Sequence, residues 1–504
     1  MVLIGRVVVG AFLTIAVWAP AAAGHGHLRV ATPDGSRFLF ASSEALVPSD
    51  NDSARDLYLR SDGRNKLVTP DTRQDVHPAD YALSVDGSRV VFTTKEPLVQ
   101  ADTDAAWDVY ERSGGGYRLL STGPGSEAYL SLAEVSDDAS RVVFDTSARL
   151  VPTDTDSAFD IYVHANGTTT LLSTSASAAG GEHNHATLDA SSDGTHVFDL
   201  TDEALVPFDR DGGPDIYEHY AGTTRLVSTG TLDTGLRGDF VDSLGSSEDG
   251  SSFLFITTVP LEPGDSNDTE DLYQRKDGRT RLLSANGAGV TMPCSAQSDE
   301  PIGPCQYYEA SQASDGGSVA FRAGQSLTPD DTNSTFDVYL RTGPTIAHAG
   351  PGSSPYIRHD GAKVVFYSAA QLAAGDTDSF TDVYEYADGQ NRLLTAGPDG
   401  GDVLLSQPSR DFSHAFFGSW GAFVPEDTDG RWDYYEVFGG RIRLITTGPS
   451  DDHGPGGDIP TDFRTTDDGS RAYFRSDKPL VPEDTDTADD LYEWRDGVTT
   501  LVTQ

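Results

Sequence analysis

The chain has 504 residues, 37% of them apolar, and sets 35 Lys and Arg against 79 Asp and Glu for a formal net charge of −44. That length can bury a large core, while the charge makes phosphate backbones and anionic lipid surfaces repulsive, because nucleic-acid affinity is built from Lys and Arg neutralising phosphates. With 52 glycines and only two methionines, the composition also leans away from helix.

The N-terminus carries Arg6, an apolar run from Val7 to Trp18 and then "APAAAG", the order of a secretory signal peptide. Cleavage after Ala23 is expected, leaving residues 24–504 as a secreted protein in a periplasm or the medium. The apolar run falls short of the ~20 residues that span a hydrocarbon core, so no membrane insertion is expected after cleavage. "HGH" at 25–27 would offer a terminal amine and His27 to copper only if cleavage followed Gly24.

From residue 28 onward one pattern repeats nine times. Asp-x-Tyr signatures begin at Asp56, Asp108, Asp160, Asp215, Asp271, Asp337, Asp382, Asp433 and Asp490. Each lies 22 residues after an Asp, usually followed by Gly, that opens an apolar run: Asp34, Asp86, Asp138, Asp193, Asp249, Asp315, Asp360, Asp411 and Asp468. Successive repeats are 45 to 66 residues apart, the period range of propeller blades. In the second unit "YALS", the turn "VDG", "SRVVFTT", "DVYERS" and "YRLLST" read as four short antiparallel strands. Helical periodicity is nearly absent. The expectation is an all-β fold, a single β-propeller of about nine four-stranded blades over 24–504, with eight blades and one displaced unit as the alternative. The last unit ends on a fourth strand ("TTLVTQ") and the first begins on a first strand ("LRVAT"), so the ring should close by packing alone.

"SVDGSRVVFTT" followed by "DVYERSGGGYRLLST" resembles the WD40-like repeat of TolB-type β-propellers, in which an S-x-D-G turn, an apolar strand, a D-[IV]-Y strand and a Gly turn before "LL[ST]" mark each blade. The resemblance covers essentially the whole mature chain. It departs at Asp138-Ala139 and Asp411-Phe412, where the turn glycine is missing, and at "TGPTIAHAGPG", where the sixth unit has a degraded fourth strand. No separate α/β domain precedes the repeats as it does in TolB. The resemblance implies a fold and a habit of binding other molecules, not a reaction.

Before each Asp-x-Tyr, an Asp six residues upstream and an Asp or Asn four residues upstream crowd carboxylates into the loop between the second and third strands. In a four-stranded blade this loop leaves from the same face as the connection between blades, so the acidic loops ring one face. Two readings stay open. The first is calcium, which takes oxygen ligands in flexible geometry, at Asp50, Asp52, Asp56, at Asp102, Asp104, Asp108, at Asp154, Asp156, Asp160, at Asp376, Asp378, Asp382, at Asp427, Asp429, Asp433 and at Asp484, Asp486, Asp490. The second is Asx turns and local caps, which repetition in every blade favours. The central residue of each Asp-x-Tyr should fill the core between blades, while the Tyr hydroxyl finds a buried partner.

Singular features are the better candidates for chemistry. "GEHNH" places His183 and His185 where two imidazoles and carboxylates would suit a transition metal. Cys294 and Cys305 close a short loop and are expected to form a disulfide in an oxidising compartment, worth on the order of 3 kcal/mol. No nucleophile elbow, H-E-x-x-H, P-loop or G-x-G-x-x-G is present. The expected function is a monomeric, non-catalytic binding scaffold, with calcium as a stabilising ligand, that presents its acidic face to a protein or glycan. The alternative is an extracellular enzyme acting on polysaccharide or peptide from the central channel.

Overall fold

The computed structural model describes residues 30–503 apart from 71–75, 124–129, 156, 174–184, 211–212, 233–240, 267–269, 287–308, 334, 398–400, 429, 431, 447–462, 477–478 and 487, and only the backbone at 76–79. The expected signal peptide and the Cys294–Cys305 loop therefore lie outside the described residues, as do His183, Asp156 and Asp429.

The described chain is strand throughout, with no helix. It forms eight four-stranded antiparallel sheets and one three-stranded sheet, each a meander in chain order. In the first blade an Ala31–Phe38 bridge and the Leu39 N–H donated to Val30 O supply the fourth strand. Nine blades result, as the repeat count predicts, and the eight-blade alternative falls away. Blade 3 shows the plan: Leu130–Val135, Arg141–Thr146, Asp160–Ala165 and Thr168–Leu171 from the inside of the ring outward.

Because each blade is sandwiched between two others, its second and third strands bury both faces, and their apolar residues run consecutively rather than alternating. The two sides of an Asp-x-Tyr strand serve different neighbours. Tyr162 packs with Val91 and Val109 of blade 2, while Ile161 packs with Val197 of blade 4. A Phe on the second strand stacks against this Tyr, as in Phe144–Tyr162 at 5.9 Å and Phe255–Tyr273 at 5.7 Å.

The turns joining first and second strands form a second tie. Hydrogen bonds connect them at every blade junction: Arg37 Nη1 to Gly87 O, Val85 N to Asp137 O, Asp137 N to Ser192 O, Ser192 N to Glu248 O, Asp249 N to Ser314 O, Ser314 N to His359 O, a His359 Nδ1 contact with Arg410 O, Arg410 N to Asp467 O, and Asp468 N to Pro33 O. The geometry demands a left-handed residue after the turn Asp. Gly87 sits at φ +67°, where a Cβ would meet Arg37 Cδ at 2.4 Å. Ala139 and Phe412, where the repeat lacks its glycine, adopt φ of 51° and 59° all the same, so the surrounding belt imposes the turn even on residues that disfavour it.

The ring closes between blades 9 and 1 without strand exchange. Phe38 stacks on Tyr473 with ring centroids 3.9 Å apart, and the Tyr473 hydroxyl donates to Gly35 O. Asn65 Nδ2 donates to Val502 O. Buried Glu493 accepts from Arg60 Nε at 3.1 Å and from Arg471 Nη1 at 2.6 Å. The sixth unit corrects the expectation of a degraded fourth strand: Thr345–Pro351 pairs along the whole of Asp337–Thr342, with a bulge opposite Val338 and Tyr339.

Candidate functional site

The acidic loops lie together on one face, and connections between blades meet them there: Leu232 N donates to Leu261 O, and Val403 N to Thr381 O. Every loop is latched the same way. The Tyr hydroxyl of Asp-x-Tyr donates to the first loop Asp in all nine blades: Tyr58 to Asp50, Tyr110 to Asp102, Tyr162 to Asp154, Tyr217 to Asp209, Tyr273 to Asp265, Tyr339 to Asp331, Tyr384 to Asp376, Tyr435 to Asp427 and Tyr492 to Asp484. Burial and the facing carboxylate push these phenols up, so the hydroxyl stays a donor.

The same Asp accepts a backbone N–H two residues on, and the next loop residue repeats the move. Asp104 N donates to Asp102 Oδ1 and Ala106 N to Asp104 Oδ1, at 3.2 and 2.8 Å. These are Asx turns. The Asp of Asp-x-Tyr has a different partner: in eight blades its Oδ1 accepts a Ser or Thr hydroxyl 13 residues later, as in Asp108–Ser121 and Asp382–Thr395. That hydroxyl in turn accepts the following backbone N–H, Val109 to Ser121 and Val383 to Thr395.

The loops also gather oxygens. The carboxylates of Asp50, Asp52 and Asp56, of Asp102, Asp104 and Asp108, of Asp376, Asp378 and Asp382, and of Asp484, Asp486 and Asp490 each offer ligand atoms within 4.8 Å of one another. Burial first, then the neighbouring loop carboxylates, raise Asp108 and Asp382 to about 6 against the pull of their hydroxyl partners. Asp154 with Asp160, and Asp427 with Asp433, keep the same positions and hydroxyl partners, with their middle residues undescribed.

His185 is not an open loop ligand. It is buried in blade 4, with Nδ1 2.8 Å from Asp199 Oδ2 and Nε2 3.4 Å from Glu203 Oε2. His219 Nε2 lies 3.0 Å from Asp199 Oδ1. Asp199 holds the second-strand position that is Phe in the other eight blades, and it is fully buried. Burial pushes the Asp199 carboxyl up, but the two imidazoles outweigh it and hold it below its usual range. Burial likewise opposes protonation of His185, and its Asp199 and Glu203 partners overcome that, raising it to about 9. Nearby, Asp145 accepts from Thr187 N and Oγ1, and Asp189 accepts from Ser246 N. Burial lifts both to about 6.

Exposed aromatics occur on the loops of blade 4, at Phe208 (51%), and of blades 7 and 8. Trp420 is 50% exposed and Phe380 44%. Trp420 packs edge-on against Trp432 at 5.6 Å, and Trp432 lies over Gly418, where any Cβ would strike its ring. Asp402 stands between the two exposed rings in the hydrogen-bond chain: Thr381 N donates to Asp402 Oδ1 at 2.9 Å and Ser419 Oγ to Asp402 O at 2.8 Å.

On the opposite face Arg410 of blade 8 pairs with Glu248 of blade 5 across the ring. A cavity of about 520 Å³ lies over the blade 5 hairpin, lined by Gln274, Lys276, Asp277, Arg279, Thr280 and Arg281. Its lining carries three cationic side chains and one carboxylate, Asp277.

No family model matches the chain, and no curated protein matches it. Solved structures similar to it include the β-propeller domain of the trilobed protease from Pyrococcus furiosus, at 12% identity over 75% of this chain and 97% of that one, TM-score 0.34. Oligogalacturonate lyase in complex with manganese matches at 13% identity over 71% and 88%, TM-score 0.36. A TolB-type protein from Agrobacterium tumefaciens matches at 19% over 52% and 80%, TM-score 0.28. These superpositions are loose, and the architecture rests on the strand pairing described above. By that pairing the chain is an all-β propeller of nine blades, closed between its first and last.

Proposed function

We propose that the protein is a non-catalytic binding scaffold, exported by its N-terminal segment, that takes a neutral glycan on its acidic face at the Trp420 platform. The observation that carries this reading is a half-exposed indole, braced edge-on by Trp432, on a face ringed with carboxylates. A contiguous exposed apolar patch rimmed by polar groups marks a contact site. A flat ring covers the C–H face of a sugar, and the Asp402 carboxylate accepts its hydroxyls. A net charge of −44 disfavours anionic ligands. Calcium belongs to the same reading as a ligand of the four loops whose three carboxylates meet within 4.8 Å.

On an array of neutral plant, fungal and bacterial oligosaccharides, the wild type is expected to bind a subset with affinity that changes little between 50 mM and 500 mM salt. Trp420→Ala should lose at least tenfold in affinity with an unchanged unfolding midpoint. An absence of binding across the array, or equal binding by Trp420→Ala, would sink the reading. Binding to basic peptides alone, screened away by salt, would move the ligand class to protein.

A further inference from the structure

Blade 6 keeps the tyrosine latch but lacks the hydroxyl partner that the Asp of Asp-x-Tyr has in the other eight blades. Thirteen residues after its Asp-x-Tyr Asp, where a Ser or Thr hydroxyl is due, stands Gly350 with φ +122°. The bulged outer strand Thr345–Pro351 brings an imidazole there instead. His348 Nε2 lies 2.6 Å from Asp337 Oδ1, and its Nδ1 lies 3.5 Å from the exposed carboxylate of Asp330. Ligand atoms of Asp331, Asp337 and His348 all fall within 4.8 Å of one another. The other acidic loops gathered this closely offer oxygen only.

We propose that Asp331, Asp337 and His348 form a binding site for one divalent transition ion of the Zn²⁺ or Co²⁺ class. Two carboxylates and one imidazole make a mixed oxygen and nitrogen donor set, which suits these ions and not calcium, a cation of oxygen ligands. The placement of Asp330 points the same way. A metal-binding imidazole characteristically gives its other N–H to a carboxylate, which fixes the tautomer and turns the free lone pair toward the ion. Asp330, one residue before the ligand Asp331, occupies that outer position, and His348 is open enough, at 12% side-chain exposure, for an ion to reach it. A purely structural imidazole, standing in for the missing hydroxyl, would need Asp337 alone and would bring no metal affinity.

The two roles separate with Co²⁺ added to the metal-stripped full-length protein. The expected result is a visible absorption band that saturates, His348→Gln lacking the high-affinity component, and millimolar calcium failing to displace it. Asp330→Asn, at an exposed position that leaves the fold intact, should weaken Co²⁺ binding by about 10–100-fold. Asp102→Asn, in an all-oxygen loop, should leave it unchanged. If the wild type binds no Co²⁺, or if His348→Gln and Asp330→Asn bind as the wild type does, the site is a structural imidazole and the proposal is wrong.

Discussion

Asp199→Ala is expected to cost about 3–5 kcal/mol and to lower the urea midpoint more than any single latch substitution. The carboxylate accounts for both histidines at the centre of blade 4, lying 2.8 Å from His185 and 3.0 Å from His219. Without it two imidazoles remain buried beside a cavity, and His185, raised to about 9 while paired, loses most of what keeps its charge in the interior. The other blades show what the site would otherwise hold. Leu130, Val241 and Val403 occupy the His185 position, Phe the Asp199 position, and Arg60, Arg112, Arg275 and Arg341 the His219 position. The triple variant His185→Leu, Asp199→Phe, His219→Val, the last being the residue blade 8 holds there as buried Val437, should recover most of the loss, since well-packed apolar replacements of buried ionic groups are often neutral or stabilising. A wild-type midpoint for Asp199→Ala would show that the network contributes nothing.

Glu493→Ala should act on the ring itself. Its carboxylate holds Arg60 of blade 1 and Arg471 of blade 9, at 3.1 and 2.6 Å and with little exposure on any of the three. Removing one partner of a buried charge set leaves the others desolvated and unpaired, a cost of about 3–5 kcal/mol. The effect should be topological as well as energetic, because no strand crosses this seam. Proteolysis under native conditions is therefore expected to nick blade 1 or blade 9 first. Asp489→Ala, which removes the more exposed partner of Arg475, should change stability by less than about 1 kcal/mol. Equal protease resistance in Glu493→Ala and wild type would mean that the Phe38–Tyr473 stack and the turn belt close the ring unaided.

The blade count was legible because a 22-residue spacing between two landmarks survives in every unit while all length variation falls elsewhere. Strand order followed from the turn residues, and the Asx turns from the repetition of Asp at a fixed offset. Other features were present in the sequence but need the nine units set side by side to be seen. The hydroxyl at Thr69, Ser121 or Ser173 is constant in position, and its loss at Gly350 marks blade 6. Asp199 likewise stands out only against eight phenylalanines. His185 stands out by its H-x-H spacing, yet its partners lie 14 and 18 residues away on another strand and loop, so burial rather than spacing decides its role. The turn belt leaves hardly any mark, since most of its ties are backbone groups that any residue supplies. The Trp420 platform depends on Gly418, in the second strand of blade 8, and on Asp402 and Phe380, which two separate connections bring to it.

The central claim is that hydroxyl and amide donors hold the acidic loops, so that the repeat is a folding device and its singular departures in blades 4, 6, 7 and 8 carry what is particular to this protein. Thermal unfolding of the metal-stripped protein, recorded with and without millimolar calcium, tests it most directly. A stripped protein that melts in a cooperative transition, with calcium adding a few degrees by binding the native state, is the predicted result. A stripped protein with no cooperative transition, folding only when calcium is returned, would contradict it and make the metal the organiser of every blade.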